Sequence, residues 1–352
     1  MAFNTKNFMR FRPLCHATLL LAGAAALSLG SCRKENGINN NNVISTPYAL
    51  YFADAEGSVY NTNDGKTYQT IVSPDGYGPR AILTTGTNIL MVKKNVFLST
   101  DNGLNFNPVD TSANKDVPWQ NLILDVPSHN RIYLASTEPY SVKYSEDKGK
   151  TWQVDNKWDT AITNHYTPMV QSFAQTQDNN LFAWNNKDTV LYKRTGPAEQ
   201  WKRVNIASGL PGGNQWRLGR FANQLLLTDT SGYYGVRYSN DGGLNWNQYI
   251  GLPVRRNFVT YAPFDETLLV GTDSMGLYRL EGGILVPSNN GLDEWTSVYG
   301  FAAKEDFYKT GLQKKYVFAA TSTGLYRSED NGKNWIKMIT NPLPSVSYIR
   351  AY

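Results

Sequence analysis

The sequence predicts an all-β fold: a seven-bladed β-propeller of four-stranded antiparallel blades, closed by the C-terminal strand joining the first blade. Three observations predict it. A short octet recurs along the chain, strand-like apolar runs flank each copy, and the last strand has no partner in its own unit. Repetition at a period of roughly 40 to 48 residues indicates an array of one supersecondary unit. Units of four short strands separated by turns are typical of propeller blades.

The chain is expected to begin with a lipoprotein signal peptide, residues 1–31. Three cations precede an apolar run over residues 14–29, which has the length of a signal sequence and is short for a transmembrane helix. The small residues before Cys32 resemble a bacterial lipobox, in which cleavage leaves the cysteine as the lipidated N-terminus. An ordinary secretory signal with an incidental cysteine is the alternative.

Residues 32–46 are expected to form a flexible tether, because residues 36–42 are a polar, asparagine-rich stretch with nothing to bury. Residues 47–352, the predicted propeller, contain no cysteine, so their stability must come from the core and not from disulfides. The net charge of +5 falls to about +2 without the three cations of the signal peptide. No Lys/Arg cluster stands out along the sequence, which argues against nucleic acid as a partner.

The octet is expected to form the outer turn of a blade. Complete copies occupy residues 99–106, 145–152, 239–246 and 328–335, and a worn copy occupies residues 61–68. Its glycine suits a left-handed turn position, its Ser and Asp can hydrogen-bond the turn backbone, and its aromatic residue can pack beneath. A calcium loop is the weaker interpretation, because the octets lack a downstream bidentate glutamate.

Two further units keep the strand pattern without the octet, with turns through Gly196 and through Gly282-Gly283. The turns then fall near residues 63, 101, 147, 196, 241, 282 and 330, which makes seven units. The first unit starts at Tyr48 and lacks a first strand, whereas residues 346–351 form a strand without a unit. Pairing these two ends would close the ring and remove its exposed edges.

The octet pattern S-x-D-x-G-x-[TN]-W resembles the Asp-box (BNR) repeat. Propellers with this repeat include sialidases, xyloglucanases, sortilin-type receptors and the photosystem II stability/assembly factor family. Residues 271–279 and 320–328 look most similar to the last of these. In such families the box lies on the rim, away from the functional face, so the resemblance implies the fold and not the activity.

Function is therefore expected in the second-to-third and fourth-to-first loops, on the opposite face. These loops are long and aromatic, and exposed rings beside hydrogen-bonding groups suit a glycan or a protein surface. The predicted ligand-binding residues are Trp119, Trp158, His165, Tyr166, Trp216, Arg217, Arg256 and Trp295. The alternative is that several of these aromatic residues, particularly Trp119, Trp216 and Trp295, plug contacts between blades.

Catalysis has weaker support. By resemblance, a sialidase would need three arginines that grip a carboxylate, the first in an [FY]-R-I-P motif, and the only similar string lies at residues 11–13, inside the signal peptide. An inverting hydrolase would need two carboxylates across a cleft, for which Asp159 and Glu294 are the candidates. The histidines have no partner at ligand spacing, so no metal site is predicted.

The sequence thus predicts a monomeric cell-envelope lipoprotein, held at the outer membrane on its periplasmic or outer side. It would act as a binding or assembly module for a glycan or protein ligand, without a cofactor and leaning away from catalysis. A glycoside hydrolase, sialidase-like or inverting glucanase-like with a non-standard active site, is the alternative function.

Overall fold

The structure is a computed structural model that describes residues 50–54, 58–63, 67–71, 79, 81–85, 87–110, 123–137, 140–159, 168–211, 215–253, 256, 258–261, 266–307, 313–338 and 346–350. All of them belong to one compact unit, Asn41–Tyr352. The predicted signal peptide and tether lie outside the described residues. Within the described part, no helix has the length and apolar character needed to cross a membrane.

The strands form seven antiparallel sheets of four strands, and the sheets are the blades of the propeller. A 3-10 turn at Pro127–His129 joins two strands of blade 3. From the innermost strand outward, blade 1 consists of β28 (Val346–Arg350), β1 (Leu50–Asp54), β2 (Val59–Thr62) and β3 (Gln69–Ile71), and blade 2 of β4 (Ala81–Thr85), β5 (Asn88–Val92), β6 (Val96–Ser99) and β7 (Asn107–Asp110). In the same order, blade 3 consists of β8 (Ile123–Val126), β9 (Arg131–Thr137), β10 (Tyr140–Ser145) and β11 (Gln153–Val154), blade 4 of β12 (Val170–Gln175), β13 (Leu181–Asn185), β14 (Val190–Arg194) and β15 (Lys202–Val204), and blade 5 of β16 (Trp216–Phe221), β17 (Gln224–Asp229), β18 (Val236–Ser239) and β19 (Asn247–Gln248). Blade 6 consists of β20 (Phe258–Tyr261), β21 (Leu269–Thr272), β22 (Leu277–Glu281) and β23 (Ile284–Pro287), and blade 7 of β24 (Val298–Phe307), β25 (Gln313–Thr321), β26 (Gly324–Ser328) and β27 (Ile336–Lys337).

The ring is closed by pairing between the two ends of the chain. β28 runs antiparallel to β1, with Ile349 opposite Phe52 and Tyr348 opposite Ala53. The innermost strands of successive blades contact one another all round the ring, and β28 contacts both β24 and β4. The seven-bladed propeller and its closure by the C-terminal strand are therefore confirmed.

Both faces of the middle strands are buried, because each blade is packed between two neighbours. β5 and β13 are buried along their whole length, which explains why they are continuous apolar runs and not alternating patterns. The outermost strands β11, β19 and β27 are only two residues long and exposed. Such short outer strands offer little edge to which another chain could pair.

Each complete octet braces the turn between the third and fourth strands of its blade. The Ser99 hydroxyl donates to Asp101 (2.8 Å) and accepts the Gly103 N–H (2.8 Å), while Asp101 accepts the Asn105 N–H (2.9 Å). The same three hydrogen bonds recur in the other three octets. Hydrogen bonds from Asn105 lower the pKa of Asp101 to about 2. The octet therefore acts as scaffold, as its composition predicts.

Two blades close the outer turn differently. In blade 6 a Gly282-Gly283 turn joins β22 to β23. In blade 4 Arg194 stands at the serine position of the octet, seven residues before Trp201. Its guanidinium donates to the carbonyls of Gly196 (2.9 Å) and Pro197 (2.8 Å). A buried cation thus replaces the Ser-Asp hydrogen bond of the four complete octets.

A second repeat, which sequence analysis misses, lies where the chain crosses to the next blade. Gly209 and Gly291 follow the fourth strands of blades 4 and 6, both with φ near +90° (87° and 88°). A Cβ atom added to them would lie 1.9 Å from the Trp246 oxygen and 2.0 Å from the Trp335 oxygen, respectively. Only glycine allows this backbone approach. These two crossings therefore pack blades 4 and 6 tightly against the tryptophan of the octet in the following blade.

Candidate functional site on the face opposite the octets

We call the side of the ring that carries the second-to-third loops the distal face, because it lies opposite the octets. The fourth-to-first loops start at the outer rim, pass the next octet and reach the distal face before the inner strand begins. Four of the residues predicted from the sequence as ligand-binding or lipidation sites lie outside the described residues: Cys32, Trp119, His165 and Tyr166.

Two of the predicted ligand-binding tryptophans are buried between blades. Trp158 is 5 % exposed and stacks on Trp201, with ring centroids 5.5 Å apart. Its indole N–H donates to the Asp155 carbonyl (3.0 Å). Trp216 is 1 % exposed and stacks on Tyr234 at 6.0 Å. For these two residues the structure matches the alternative of blade-to-blade packing, so they are left out of the candidate site.

The two predicted arginines lie on neighbouring blades. Arg217 projects from the innermost strand β16 of blade 5, and burial lowers the pKa of its guanidinium to about 10. Arg256 lies in the loop between blades 5 and 6, with its Nε 3.9 Å from Asp273 Oδ1. The Arg256 N–H also donates to the Gly232 carbonyl (3.2 Å). Arg256 is therefore held in place on the distal face and stays partly accessible.

The two candidate catalytic carboxylates are not brought together. Asp159 follows blade 3 at the outer rim, where its N–H donates to the Trp201 carbonyl (3.0 Å). Glu294 follows blade 6 and is exposed. Three blades of a seven-membered ring separate the two loops. A glycosidase requires its two acids to flank one bond, and this arrangement does not provide that geometry.

Hydrogen bonds between loops form a continuous band across the distal face from blade 4 to blade 7. Each bond joins the second-to-third loop of a blade to the crossing that leads either into that blade or into the next. The band consists of Trp216 N–H to Asn186 Oδ1 (2.8 Å), Thr230 N–H to the Gln215 carbonyl (2.7 Å), Arg256 N–H to the Gly232 carbonyl (3.2 Å), Gly276 N–H to the Thr296 carbonyl (2.8 Å) and Ser322 N–H to the Ser297 carbonyl (2.9 Å). Side chains on this band are therefore carried by a rigid support.

Tyr233 is an exposed ring on the band, which sequence analysis did not single out. Its side chain is 68 % exposed. The buried Asp229 carboxylate orders the loop by accepting the N–H groups of Ser231 (2.8 Å), Tyr233 (2.8 Å) and Tyr234 (2.7 Å). The sequence feature that could have indicated this exposed ring is an aspartate followed within five residues by Gly-Tyr-Tyr, between two strands. The loop presents Tyr233 to solvent without leaving it on a flexible segment.

Trp295 is the most exposed aromatic residue of the described part, at 80 %. Thr296, which follows it, is buried and donates through its hydroxyl to the Asp293 carbonyl (2.5 Å). Lys337 donates to the Asp293 carboxylate (2.7 Å), and this bond lowers the pKa of Asp293. Trp295 thus projects from a turn that is fastened on both sides.

The backbone at Trp295 is strained, with φ of +57°. Thr189, in the second-to-third loop of blade 4, has φ of +54°. Bulky and β-branched residues are genuine outliers in this region, and such strain concentrates at functional sites. The other non-glycine residues with positive φ lie in hairpins on the octet side and are Asn102, Asn130, Lys148, Asn179, Ala222 and Asn331. Both outliers therefore fall on the distal face.

The candidate site spans blades 5 to 7 and combines Tyr233, Arg256, Asp273 and Trp295. It offers two separated aromatic rings with a charged pair between them in blade order. Within the part of the chain that the structure describes, no group of three or more His, Cys, Asp or Glu residues could hold a metal ion. The exposed rings of Tyr233 and Trp295 can stack on a ligand, and Arg256 and Asp273 can hydrogen-bond it.

No family model and no curated protein matches the chain. Solved structures are similar in fold. YCF48 from Cyanidioschyzon merolae is 14 % identical with a TM-score of 0.50, covering 79 % of this chain and 95 % of its own. A streptogramin B lyase is 12 % identical with a TM-score of 0.50, covering 79 % and 92 %. YCF48 bound to D1 peptide is 12 % identical with a TM-score of 0.49, covering 76 % and 88 %. At these identities the likeness shows the propeller fold alone.

Proposed function

We propose that this protein is a lipid-anchored binding module of the cell envelope and that its distal face holds a glycan. The observation that carries this proposal is Trp295, an 80 % exposed ring on a strained and fastened backbone. A protein gains nothing in stability from exposing a large ring at a backbone angle that disfavours it. Recognition of a ligand explains why both features are kept together.

The surroundings of the two exposed rings favour a glycan. Tyr233 lies in the second-to-third loop of blade 5 and Trp295 in the crossing from blade 6 to blade 7, and the Arg256–Asp273 pair lies between them in blade order. Sugars pair apolar C–H faces with hydroxyl groups, so they match aromatic platforms beside charged hydrogen-bonding groups. The buried core of a protein interface is instead depleted of charge. Because the candidate site extends over blades 5 to 7, an oligosaccharide suits it better than a single sugar.

A protein ligand is the second candidate, and Met275 favours it. Met275 is 38 % exposed beside Gly276, whose N–H donates to the Thr296 carbonyl (2.8 Å) next to Trp295. Exposed methionine beside an aromatic residue is common at adaptable binding surfaces. A hydrolase is not proposed, because Asp159 and Glu294 lie on separate parts of the ring.

The anchor in this proposal is the segment that precedes the propeller. Signal-peptide cleavage before Cys32 would leave a lipidated cysteine followed by an asparagine-rich tether, which lets the propeller reach away from the membrane. Labelling cells with radioactive palmitate tests this directly. Label in the wild-type protein that is lost in Cys32→Ala supports the anchor, and equal label in both excludes it.

A glycan array probed with the purified protein tests the ligand. We expect binding that weakens by about tenfold or more in Trp295→Ala, because an aromatic platform dominates such contacts. Leu104→Ala is the matched control, since Leu104 is 82 % exposed but lies in the octet of blade 2. Binding to a purified protein from the same envelope, lost in Trp295→Ala, would select the second candidate. Glycan binding that Trp295→Ala and Tyr233→Ala leave unchanged would refute the proposed site.

A further inference from the structure

The outer hairpin of blade 4 carries an open pocket that the distal site does not use. The pocket has a volume of about 150 Å³, well above the roughly 10–15 Å³ that one water molecule needs. Lys193, Arg194, Lys202 and Arg203 line it, together with one carboxylate, Glu199. This is the hairpin in which the octet is replaced.

Cations from blade 3 and its crossing also converge on the same turn. Arg131 donates to the Pro197 carbonyl (3.1 Å), and the Lys157 ammonium lies 3.4 Å from the Ala198 carbonyl. The hairpin and its surroundings therefore hold six cations, Arg131, Lys157, Lys193, Arg194, Lys202 and Arg203. The carboxylates near them are Glu146, Asp155, Asp178 and Glu199. Positive charge is in excess.

The carboxylates pair with only some of the six cations. Glu146 pairs with Arg131 (2.6 Å), and Asp155 pairs with Arg194 inside the blade junction. Asp178 is exposed and is attracted to Lys193, whose charge contributes to the lowered pKa of Asp178. Lys202 and Arg203 form no ion pair with any side chain among the described residues and are exposed. The uncompensated charge is therefore on the open side of the pocket, where a ligand can reach it.

Lys193 and Lys202 lie directly opposite each other on β14 and β15. Directly opposed like charges destabilise a pair of strands. The Lys193 ammonium lies 5.6 Å from the Phe182 ring centroid, which fixes its position beside the pocket. Two lysines held side by side form a site for an anion, because an anion removes their repulsion and accepts hydrogen bonds from both.

We propose that this pocket binds a phosphate-bearing ligand through Lys193 and Lys202, whose side chains lie on the same face of the blade. A phosphoryl group offers several acceptor oxygens and up to two negative charges, so it can accept hydrogen bonds from both ammonium groups at once. The volume leaves room for part of the carrier. The phosphate can come from a lipid headgroup or from a soluble phosphate ester, and the chemistry of the pocket is the same for both.

Titration of the full-length protein with inorganic phosphate, compared with chloride at equal ionic strength, tests the pocket by calorimetry. Sedimentation with phosphatidylcholine vesicles, with and without phosphatidic acid, tests the lipid source. We expect Lys193→Gln/Lys202→Gln to bind about tenfold or more weakly. The matched control is Lys187→Gln/Lys333→Gln, which removes two exposed lysines elsewhere and should bind as the wild type does.

Without ligand, Lys193→Gln/Lys202→Gln is expected to melt at or above the melting temperature of the wild-type protein, since it loses a repulsive pair. This separates loss of binding from misfolding. Binding of either probe that is lost in the double variant supports the proposal: acidic vesicles identify a headgroup, and phosphate alone identifies a soluble ester. No phosphate-specific binding to either probe, or equal binding by the double variant, overturns it.

Discussion

Arg194 and Asp155 form an ion pair that is buried at the junction of blades 3 and 4, with side chains 0 % and 1 % exposed. Arg194 ends β14, whereas Asp155 belongs to the crossing that leaves blade 3. The indole N–H of Trp201 also donates to Asp155 (3.1 Å). This pair replaces the serine and aspartate that brace the octet turns. Each partner neutralises a charge whose burial alone would be energetically costly.

Removing one partner of this pair should destabilise the protein strongly. We expect Asp155→Ala to lower the free energy of unfolding by about 3–5 kcal/mol, because Arg194 then stays buried without its counter-charge. Denaturant unfolding measures this. Glu146→Gln, which breaks the exposed end of the Arg131 pair, should cost about 1 kcal/mol or less. A loss for Asp155→Ala no larger than for Glu146→Gln would contradict the account.

The close backbone approach at Gly291 predicts a second large effect. In Gly291→Ala the new Cβ would lie 2.0 Å from the Trp335 oxygen and would also adopt an unfavourable φ. Gly283→Ala is the matched control, because Gly283 has a similar φ of 89° with nothing within 4 Å. We expect about 1–2 kcal/mol for Gly283→Ala, the cost of the left-handed backbone alone, and a clearly larger loss for Gly291→Ala. Equal losses in thermal melts would show that the approach is not tight.

His129 should make stability depend on pH. Burial lowers the pKa of His129 below its ordinary 6.5, and Arg194 and Arg131 act in the same direction. Its Nδ1 lies 3.1 Å from the Tyr133 hydroxyl, whereas its Nε2 has no hydrogen-bond partner among the described residues. The unfolded chain therefore takes up a proton that the native state resists. The free energy of unfolding should be unaffected by this group above pH 6.5 and should fall below it, levelling off below the lowered pKa.

Urea unfolding from about pH 7.5 to 5.5 measures this dependence. His129→Gln keeps a polar side chain without a titrating group, so the fall over this interval should be shallower in the variant. The difference between the two proteins isolates His129 from the carboxylates, which titrate at lower pH. Parallel curves for wild type and variant would rule the effect out.

Deletion of residues 346–352 should destabilise the whole propeller. β28 supplies the innermost strand of blade 1 and contacts the inner strands of blades 7 and 2. Its removal exposes the edges of blades that are otherwise paired or covered. We expect the truncated protein to melt many degrees lower or to lose its cooperative transition. Melting within about 2 °C of the full-length protein would contradict closure by this strand.

The candidate site was only partly predictable. Trp158 and Trp295 lie between a fourth strand and the next first strand, and Trp216 is the first residue of such a first strand, so the sequence pattern does not separate them. Trp158 is buried because it stacks on Trp201 of the next blade, whereas Trp295 is turned outward by its φ of +57°. Burial here depends on the neighbouring blade and on one backbone angle. Neither is encoded in the periodicity of the chain.

The number of blades, the position of their outer turns and the strand that closes the ring could all be predicted from local patterns in the sequence. Those features rest on hydrogen bonds within an octet or on strand periodicity, and both are local along the chain. Which aromatic rings reach solvent, the pairing of Arg194 with Asp155 across 39 residues and the clustering of six cations around the blade 4 hairpin could not be predicted in this way. These outcomes arise from contacts between blades, whose partners are distant in sequence, so only the closed ring brings them together.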